Sequence, residues 1–80
     1  MSDFARIASA VRESYEAAFP GQTIHVDSDF FELGGDSLAM VTIILELEKH
    51  LNVEIVGVDL IDAPTVQDLS HQIEAYLSEE

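Results

Sequence analysis

The strongest constraint on the fold is a short stretch at residues 30–38, which reads Phe-Phe-Glu-Leu-Gly-Gly-Asp-Ser-Leu. Apolar anchors lead here into a glycine pair, which tolerates positive φ and leaves room for a large partner to approach the backbone. Asp36 has the short carboxylate side chain of a typical N-cap, so a helix should begin at Ser37. The Ser37 hydroxyl would then lie at the positive end of the helix dipole, where an attached anion is stabilised.

Helical spacing of apolar residues predicts a first helix before this stretch. Ser2 or Asp3 can cap its start, and Pro20-Gly21 ends it. The positions that fall on one side of a helical wheel, and should therefore face a core, are Phe4, Ile7, Ala8, Val11, Tyr15, Ala18 and Phe19.

The connection over residues 22–36 is long for a compact domain, which indicates that apolar side chains hold it across the bundle. We expect a short turn of helix near Phe30. The residues expected to hold this connection in place are Ile24, Val26, Phe30, Phe31 and Leu33.

A second helix is predicted from Ser37 to about His50, with Asn52 as a left-handed C-cap. At ~100° per residue, Ser37 and Glu48 lie between two apolar sectors of this helix. The larger sector should face the core and contains Met40, Ile43, Ile44, Leu47 and Leu51. The smaller sector should be exposed beside the serine and contains Leu38, Val41 and Leu45.

Residues 58–62 are long enough only for a short third helix. Ala63-Pro64 then breaks the chain, and Thr65 with Asp68 forms an approximate capping box for a fourth helix that runs to about Ser78. Its apolar stripe is Val66, Leu69, Ile73, Tyr76 and Leu77. The predicted fold is therefore all-α, a small four-helix bundle of three main helices and one short helix, with a long loop between helices one and two.

Composition limits the class of protein. Eighty residues suffice for one domain, residues 1–80, and a hydrophobic content of 48% is too high for a disordered chain. The absence of cysteine excludes disulfides, thiolate zinc sites and a nucleophilic thiol. No apolar run approaches the roughly 20 residues that span a bilayer, and the start lacks a basic segment, so we expect a cytoplasmic protein.

The net charge of −13 is spread unevenly. Residues 22–80 hold 13 of the 16 acidic residues, and Lys49 is the only lysine or arginine among them. Such a surface repels nucleic acid and anionic membranes and attracts proteins with basic patches. The alternative is that the acidic residues only keep a small domain soluble.

No metal site is predicted. A calcium loop starting at Asp27 fails because Glu32 stands where an EF-hand needs glycine and Leu38 stands where it needs glutamate. The three histidines are scattered singly and no two are four residues apart, which does not suit zinc.

The run over residues 29–38, with its Leu-Gly-Gly-Asp-Ser-Leu core, resembles the acyl and peptidyl carrier proteins of fatty-acid, polyketide and nonribosomal-peptide synthesis. The helix lengths, the turn at residues 63–66 and the chain length are also similar to that family, and the core looks most like its peptidyl and polyketide branches. The resemblance implies that Ser37, flanked by Gly35 and Asp36, carries 4′-phosphopantetheine, which a separate Mg²⁺-dependent transferase installs from coenzyme A. The terminal thiol of that arm then holds cargo as a thioester.

The same resemblance implies a free-standing, monomeric carrier that is not itself a catalyst. Its partners would be the phosphopantetheinyl transferase, loading enzymes, and synthases or transferases with basic docking patches. The residues expected to contact these partners are Asp36, Leu38, Val41, Leu45, Glu48 and Ile61. The alternative for the three apolar positions of the second helix is that they pack against the long loop.

Two functions of other classes compete with the carrier. Residues 35–38 spell Gly-Asp-Ser-Leu, and with Asp68 and His71 as an acid–base pair they mimic a GDSL hydrolase. The stretch before Ser37, however, lacks the β-branched residues of the buried strand that such an enzyme needs. The other alternative is an unmodified acidic interaction module, in which Ser37 is an ordinary first-turn serine.

Overall fold

The computed structural model describes residues 3–78, which form three α-helices. Helix α1 spans Asp3–Ala18, α2 spans Ser37–Leu51 and α3 spans Val66–Ser78. They correspond to the three main helices predicted, and the all-α class is confirmed. Within the described residues, extended pairing is limited to one isolated antiparallel bridge between Asp29 and Thr65. Of the two predicted caps of α1, Asp3 is already a residue of the helix, and Ser2 lies outside the described residues.

The helix ends follow local side-chain chemistry. Asn52 takes the left-handed conformation, with φ 56° and ψ 41°, directly after α2, as predicted. At the start of α3, the Thr65 hydroxyl accepts a hydrogen bond from the Asp68 N–H at 3.0 Å, which is half of the predicted capping box. These caps set where two of the three helices begin or end.

Helix α1 packs against both α2 and α3, whereas no Cα atom of α2 lies within 8 Å of one in α3. The largest side chains that are essentially inaccessible to solvent are Tyr15, Phe30, Ile43, Leu47, Leu60, Leu69 and Ile73. Two buried serines, Ser14 and Ser70, donate to the carbonyls four residues earlier, at 2.8 and 2.7 Å. Their polar atoms are therefore satisfied inside the core.

The long loop between α1 and α2 is tied to the start of α3. The Val66 N–H donates to the Ser28 carbonyl at 3.2 Å, and the Gln67 N–H donates to the Val26 carbonyl at 2.9 Å. These bonds satisfy N–H groups in the first turn of α3, which have no intrahelical acceptor. The loop thus supplements the Thr65 side-chain cap at this helix start.

The side chains that hold this loop differ in part from the prediction. Ile24 and Phe30 are buried and Leu33 packs partly against the core. Val26 and Phe31, however, are 61% and 52% exposed, so their predicted role in holding the loop is wrong. At these two positions the backbone makes the contacts: the Val26 carbonyl accepts from the Gln67 N–H and the Phe31 carbonyl from the Gly34 N–H, and neither bond needs an apolar side chain.

The predicted short helix at residues 58–62 is not present as a helix. The segment makes a single hydrogen-bonded turn, in which the Ala63 N–H donates to the Asp59 carbonyl at 3.1 Å. Pro64 follows immediately and has no N–H to extend the turn. Inside the turn, the Asp59 carboxylate accepts from the Ile61 N–H at 2.8 Å, and Leu60 is buried beneath it.

None of the helices within residues 3–78 is long and apolar enough to cross a membrane.

Candidate functional site

The start of α2 is built by Asp36. This residue is extended, with φ −133° and ψ −171°, and its carboxylate accepts a hydrogen bond from the Ala39 N–H at 2.9 Å. Its carbonyl accepts the first intrahelical bond, from the Met40 N–H at 3.0 Å. Both features are those of an N-cap. Ser37 is therefore the first residue of the helix, as the sequence predicted.

The two glycines before Asp36 have different roles. Gly34 has φ 88°, and a Cβ placed there would have no atom within 4 Å, so its glycine requirement is conformational. Gly35 has no such φ, but a Cβ there would lie 2.6 Å from Cε1 of Phe30 and nearer still to two other ring atoms. The missing side chain of Gly35 thus admits the buried Phe30 ring. The predicted positive φ is therefore confirmed at Gly34 alone, and the approach of a partner to this backbone stays a prediction.

The Ser37 hydroxyl is exposed and donates to no other described residue. Its backbone N–H belongs to the first turn, whose N–H groups have no intrahelical acceptor. A phosphodiester formed on this hydroxyl would lie at the positive end of α2, where an anion is favoured. The residues present therefore fit a phosphopantetheine group on Ser37.

The surface of α2 divides largely as the helical wheel indicated, except that Ile44 of the larger sector is only half-buried and does not pack against the core. Ile43 and Leu47 are fully buried. On the other side, Leu38, Val41 and Leu45 are 74%, 53% and 54% exposed. We call these three residues the α2 patch. The loop between α1 and α2 does not cover it, which removes the alternative in which the three residues pack against that loop. Its use by partner enzymes stays a prediction.

Glu48, another residue expected to contact partners, has a structural contact. Its carboxylate accepts a hydrogen bond from the Ile55 N–H at 2.9 Å and so attaches the loop after α2 to the helix. Ile61, on the same loop, is 66% exposed, and Asp36 is also exposed. The structure therefore leaves Ile61 and Asp36 accessible, while it gives Glu48 a second role that the sequence did not suggest.

The serine and histidine of the hydrolase alternative are not brought together. The His71 ring stacks on Phe4 of α1, with centroids 4.7 Å apart, and its Nδ1 atom lies 4.0 Å from the Glu74 carboxylate. His71 is on α3 and Ser37 on α2, and these helices do not approach each other closely. Among the described residues, no group of three or more potential metal ligands occurs.

One contact behind the start of α2 has no signal in the sequence. The Tyr15 hydroxyl of α1 donates a hydrogen bond to the Pro64 carbonyl at 2.7 Å, and the same carbonyl accepts a second hydrogen bond from the Phe30 N–H at 2.8 Å. Phe30 is the residue whose ring lies against Gly35. The acceptor is a backbone atom 49 residues from Tyr15, so no side-chain pattern marks the pair.

Comparison with known families agrees with this geometry. The family model for the phosphopantetheine attachment site matches residues 5–73. The chain belongs to this family of carrier proteins, which are not catalysts, and its cofactor is covalently attached 4′-phosphopantetheine.

Several curated proteins are similar in sequence. Indigoidine synthase of Streptomyces lavendulae is 32% identical over 66 residues, which cover 82% of this chain and 5% of the synthase. Gramicidin S synthase 2 of Brevibacillus brevis is 42% identical over 50 residues, or 62% of this chain and 1% of the synthase. The chloroplastic acyl carrier protein 1 of Hordeum vulgare is 37% identical over 59 residues, or 74% of this chain and 40% of that protein. The chain thus spans only a small part of the synthases.

One solved structure has a similar fold. BlmI, a type-II acyl carrier protein from Streptomyces verticillus involved in bleomycin biosynthesis, superposes with a TM-score of 0.80 at 19% sequence identity. The match covers 92% of this chain and 89% of BlmI. The architecture of three helices and long connecting loops is therefore that of an acyl carrier protein.

Proposed function

We propose that Ser37 carries the 4′-phosphopantetheine arm and that the protein presents acyl or aminoacyl groups to biosynthetic enzymes. The observation that carries this proposal is the exposed Ser37 hydroxyl at the capped start of α2, in a chain of the carrier family. When attached, the group supplies a thiol that holds the cargo as a thioester. The protein contributes the position of that arm and the surface that enzymes recognise.

Attachment uses the serine as the nucleophile. Ser37 Oγ attacks a phosphorus of the pyrophosphate in coenzyme A, an Oγ–P bond forms, and the P–O bond of the anhydride breaks. Adenosine 3′,5′-bisphosphate leaves, and the serine proton passes to a base of the transferase or to water. The Asp36 carboxylate is bound to the Ala39 N–H, which fixes the first turn while the hydroxyl reacts.

Partner enzymes would dock on the α2 patch together with exposed acidic residues around it. Apolar residues bordered by charge are a typical interaction surface, and the strong negative charge favours partners with basic patches. Asp36, Glu48 and Ile61 complete the predicted contact set, Glu48 through the part of its carboxylate that Ile55 does not occupy. The phosphopantetheinyl transferase would be the first such partner.

The cargo belongs to peptide- or polyketide-type assembly in this proposal. Support comes from the Leu-Gly-Gly-Asp-Ser-Leu core and from the names of similar proteins, which include gramicidin S synthase 2 and indigoidine synthase. The similarity to a plant acyl carrier protein makes a fatty acyl group the second candidate. Loading assays with aminoacyl and acyl donors on the modified protein distinguish the two.

The test of the attachment site is enzymatic modification. Incubation with a broad-specificity phosphopantetheinyl transferase, Mg²⁺ and coenzyme A should add one phosphopantetheine to the wild-type protein, read by intact-mass spectrometry. Ser37→Ala should remain unmodified, while Ser9→Ala, which removes an exposed serine of α1, should be modified fully. Modification of Ser37→Ala, or no modification of the wild type, would refute the assignment.

A further inference from the structure

Tyr15 is a buried polar group that the proposed attachment reaction does not use directly. It lies in α1 with no side-chain exposure, and its phenol donates to the Pro64 carbonyl at 2.7 Å. Burial raises the pKa of this phenol, and the negative charges of Asp29 and Asp68 raise it further. A phenol is protonated at physiological pH even without this shift, so the Tyr15 hydroxyl is a hydrogen-bond donor there.

The Pro64 carbonyl joins two parts of the molecule. It accepts the Tyr15 hydroxyl from α1 and, at 2.8 Å, the Phe30 N–H from the loop before α2. A carbonyl oxygen has two lone pairs and can accept both bonds. Tyr15 thereby fixes the acceptor to which the loop is attached, at the point where the chain turns into α3.

From Phe30 the contacts continue to the start of α2. The Phe30 carbonyl accepts the Gly35 N–H at 2.9 Å, and the Phe30 ring occupies the space beside Gly35 where a Cβ would be. Gly35 is followed directly by the N-cap Asp36 and by Ser37. Residues 30–35 are thus held at both ends, by Pro64 through the Phe30 N–H and by the ring contact at Gly35. We call this segment the attachment turn.

We propose that Tyr15 is a positioning residue for Ser37: its hydroxyl, through Pro64 and Phe30, holds the attachment turn in the shape that presents Ser37 to enzymes. The proposal rests on Ser37 being the modified residue. Without the Tyr15 hydroxyl, the turn should sample other conformations, and a partner that binds only the ordered turn should need a higher concentration of carrier.

The test uses Tyr15→Phe, which keeps the ring and removes only the hydroxyl. Tyr76→Phe is the matched control, because it removes a phenol that donates to the Glu54 carbonyl, at 2.9 Å, on the loop after α2. Initial rates of modification are measured against carrier concentration for wild type and both variants. We expect Tyr15→Phe to raise KM above that of the control, by up to the roughly two- to tenfold that one lost hydrogen bond allows, with kcat unchanged.

Amide hydrogen exchange provides a second readout, independent of the transferase. In Tyr15→Phe the amides of Phe30 and Gly35 should exchange several-fold faster, while those of Ile43 and Leu47 in α2 should match the Tyr76→Phe control. A wild-type protein that is never modified would refute the proposed function, and the exchange data would still show whether Tyr15 holds the attachment turn.

Three results would overturn the proposal. The first is that Tyr15→Phe has the same KM and the same amide exchange rates as the Tyr76→Phe control. The second is faster exchange at Phe30 and Gly35 with no change in KM, which would make the hydrogen bond purely structural. The third is uniformly faster exchange through α1, α2 and α3, which would show a global loss of stability.

Discussion

At the scale of single residues, adjacent glycines in this protein answer different needs. Gly34 supplies a backbone conformation, whereas Gly35 supplies space for Phe30, which is only 1% exposed. The sequence correctly predicted Asp36 as the N-cap of α2. It could not separate the glycines, because the ring that needs Gly35 arrives from a folded loop whose path depends on Pro64.

This difference predicts that the stability cost of replacing Gly35 depends on Phe30, whereas the cost of replacing Gly34 does not. Gly35→Ala should cost about 1–3 kcal/mol through overpacking against Phe30, and the cost should fall in a Phe30→Leu background that provides room. Gly34→Ala should carry a backbone cost that is the same in both backgrounds, because no atom lies within 4 Å of its Cβ position. Urea unfolding gives the cost in free energy of each glycine substitution in the wild-type and Phe30→Leu backgrounds. Equal costs for Gly35→Ala with and without Phe30→Leu would refute the ring contact.

At the scale of elements, α2 has one side in the core and another in solvent. Periodicity predicted this division, because apolar residues occupy two sectors and one helix of this length cannot bury both beside an accessible serine. The burial of Leu47 and the exposure of Leu45 agree with it. Periodicity could not show that Glu48 binds the Ile55 N–H, since that contact depends on the course of the following loop.

Two leucines of α2 therefore separate stability from recognition. Leu47→Ala should lower the free energy of unfolding by about 2–5 kcal/mol, because it leaves a cavity in the core. Leu45→Ala should change stability little and should slow modification by the transferase, because the exposed side chain belongs to the predicted docking surface. Thermal unfolding and modification rates of both variants provide the measurement. A Leu45→Ala protein that is as destabilised as Leu47→Ala and is modified at the wild-type rate would contradict the assigned orientation.

The loops show where sequence reasoning reaches its limit. Helix starts and ends follow from local residues such as Asp36, Asn52 and Thr65, so the three helices could be predicted. The sequence could not show that residues 58–62 form a single turn and not the predicted short helix. This turn is fixed by a distant residue, since the Asp59 N–H donates to the Gln72 side chain of α3 at 2.7 Å. Long-range bonds of this kind leave no periodic pattern in the sequence.

At the scale of the whole molecule, negative charge is largely unpaired. The described residues contain two lysine or arginine ion pairs, Arg12–Glu16 at 3.2 Å and Lys49–Glu46 at 3.5 Å, and both include a well-exposed side chain. Exposed pairs of this kind contribute little to stability. A net charge of −13 on 80 residues should therefore oppose the compact state by self-repulsion.

Added salt should relieve that repulsion. We expect the melting temperature to rise with NaCl and with millimolar Mg²⁺, and a gain of about 1 kcal/mol corresponds to roughly 4–8 °C for a domain of this size. Calorimetry across a series of salt concentrations measures the effect. A melting temperature that is indifferent to salt would show that the acidic groups are better compensated than the ion pairs indicate.

The central claim is that Ser37 carries the cofactor and, through it, a biosynthetic cargo. The most direct measurement is mass spectrometry of the protein purified from its natural source, with peptide fragmentation to locate any added group and hydroxylamine treatment to cleave thioesters. We predict one phosphopantetheine on Ser37 and, on a fraction of molecules, a further mass that hydroxylamine removes. Protein that is unmodified throughout, or modified at another residue, would contradict the account.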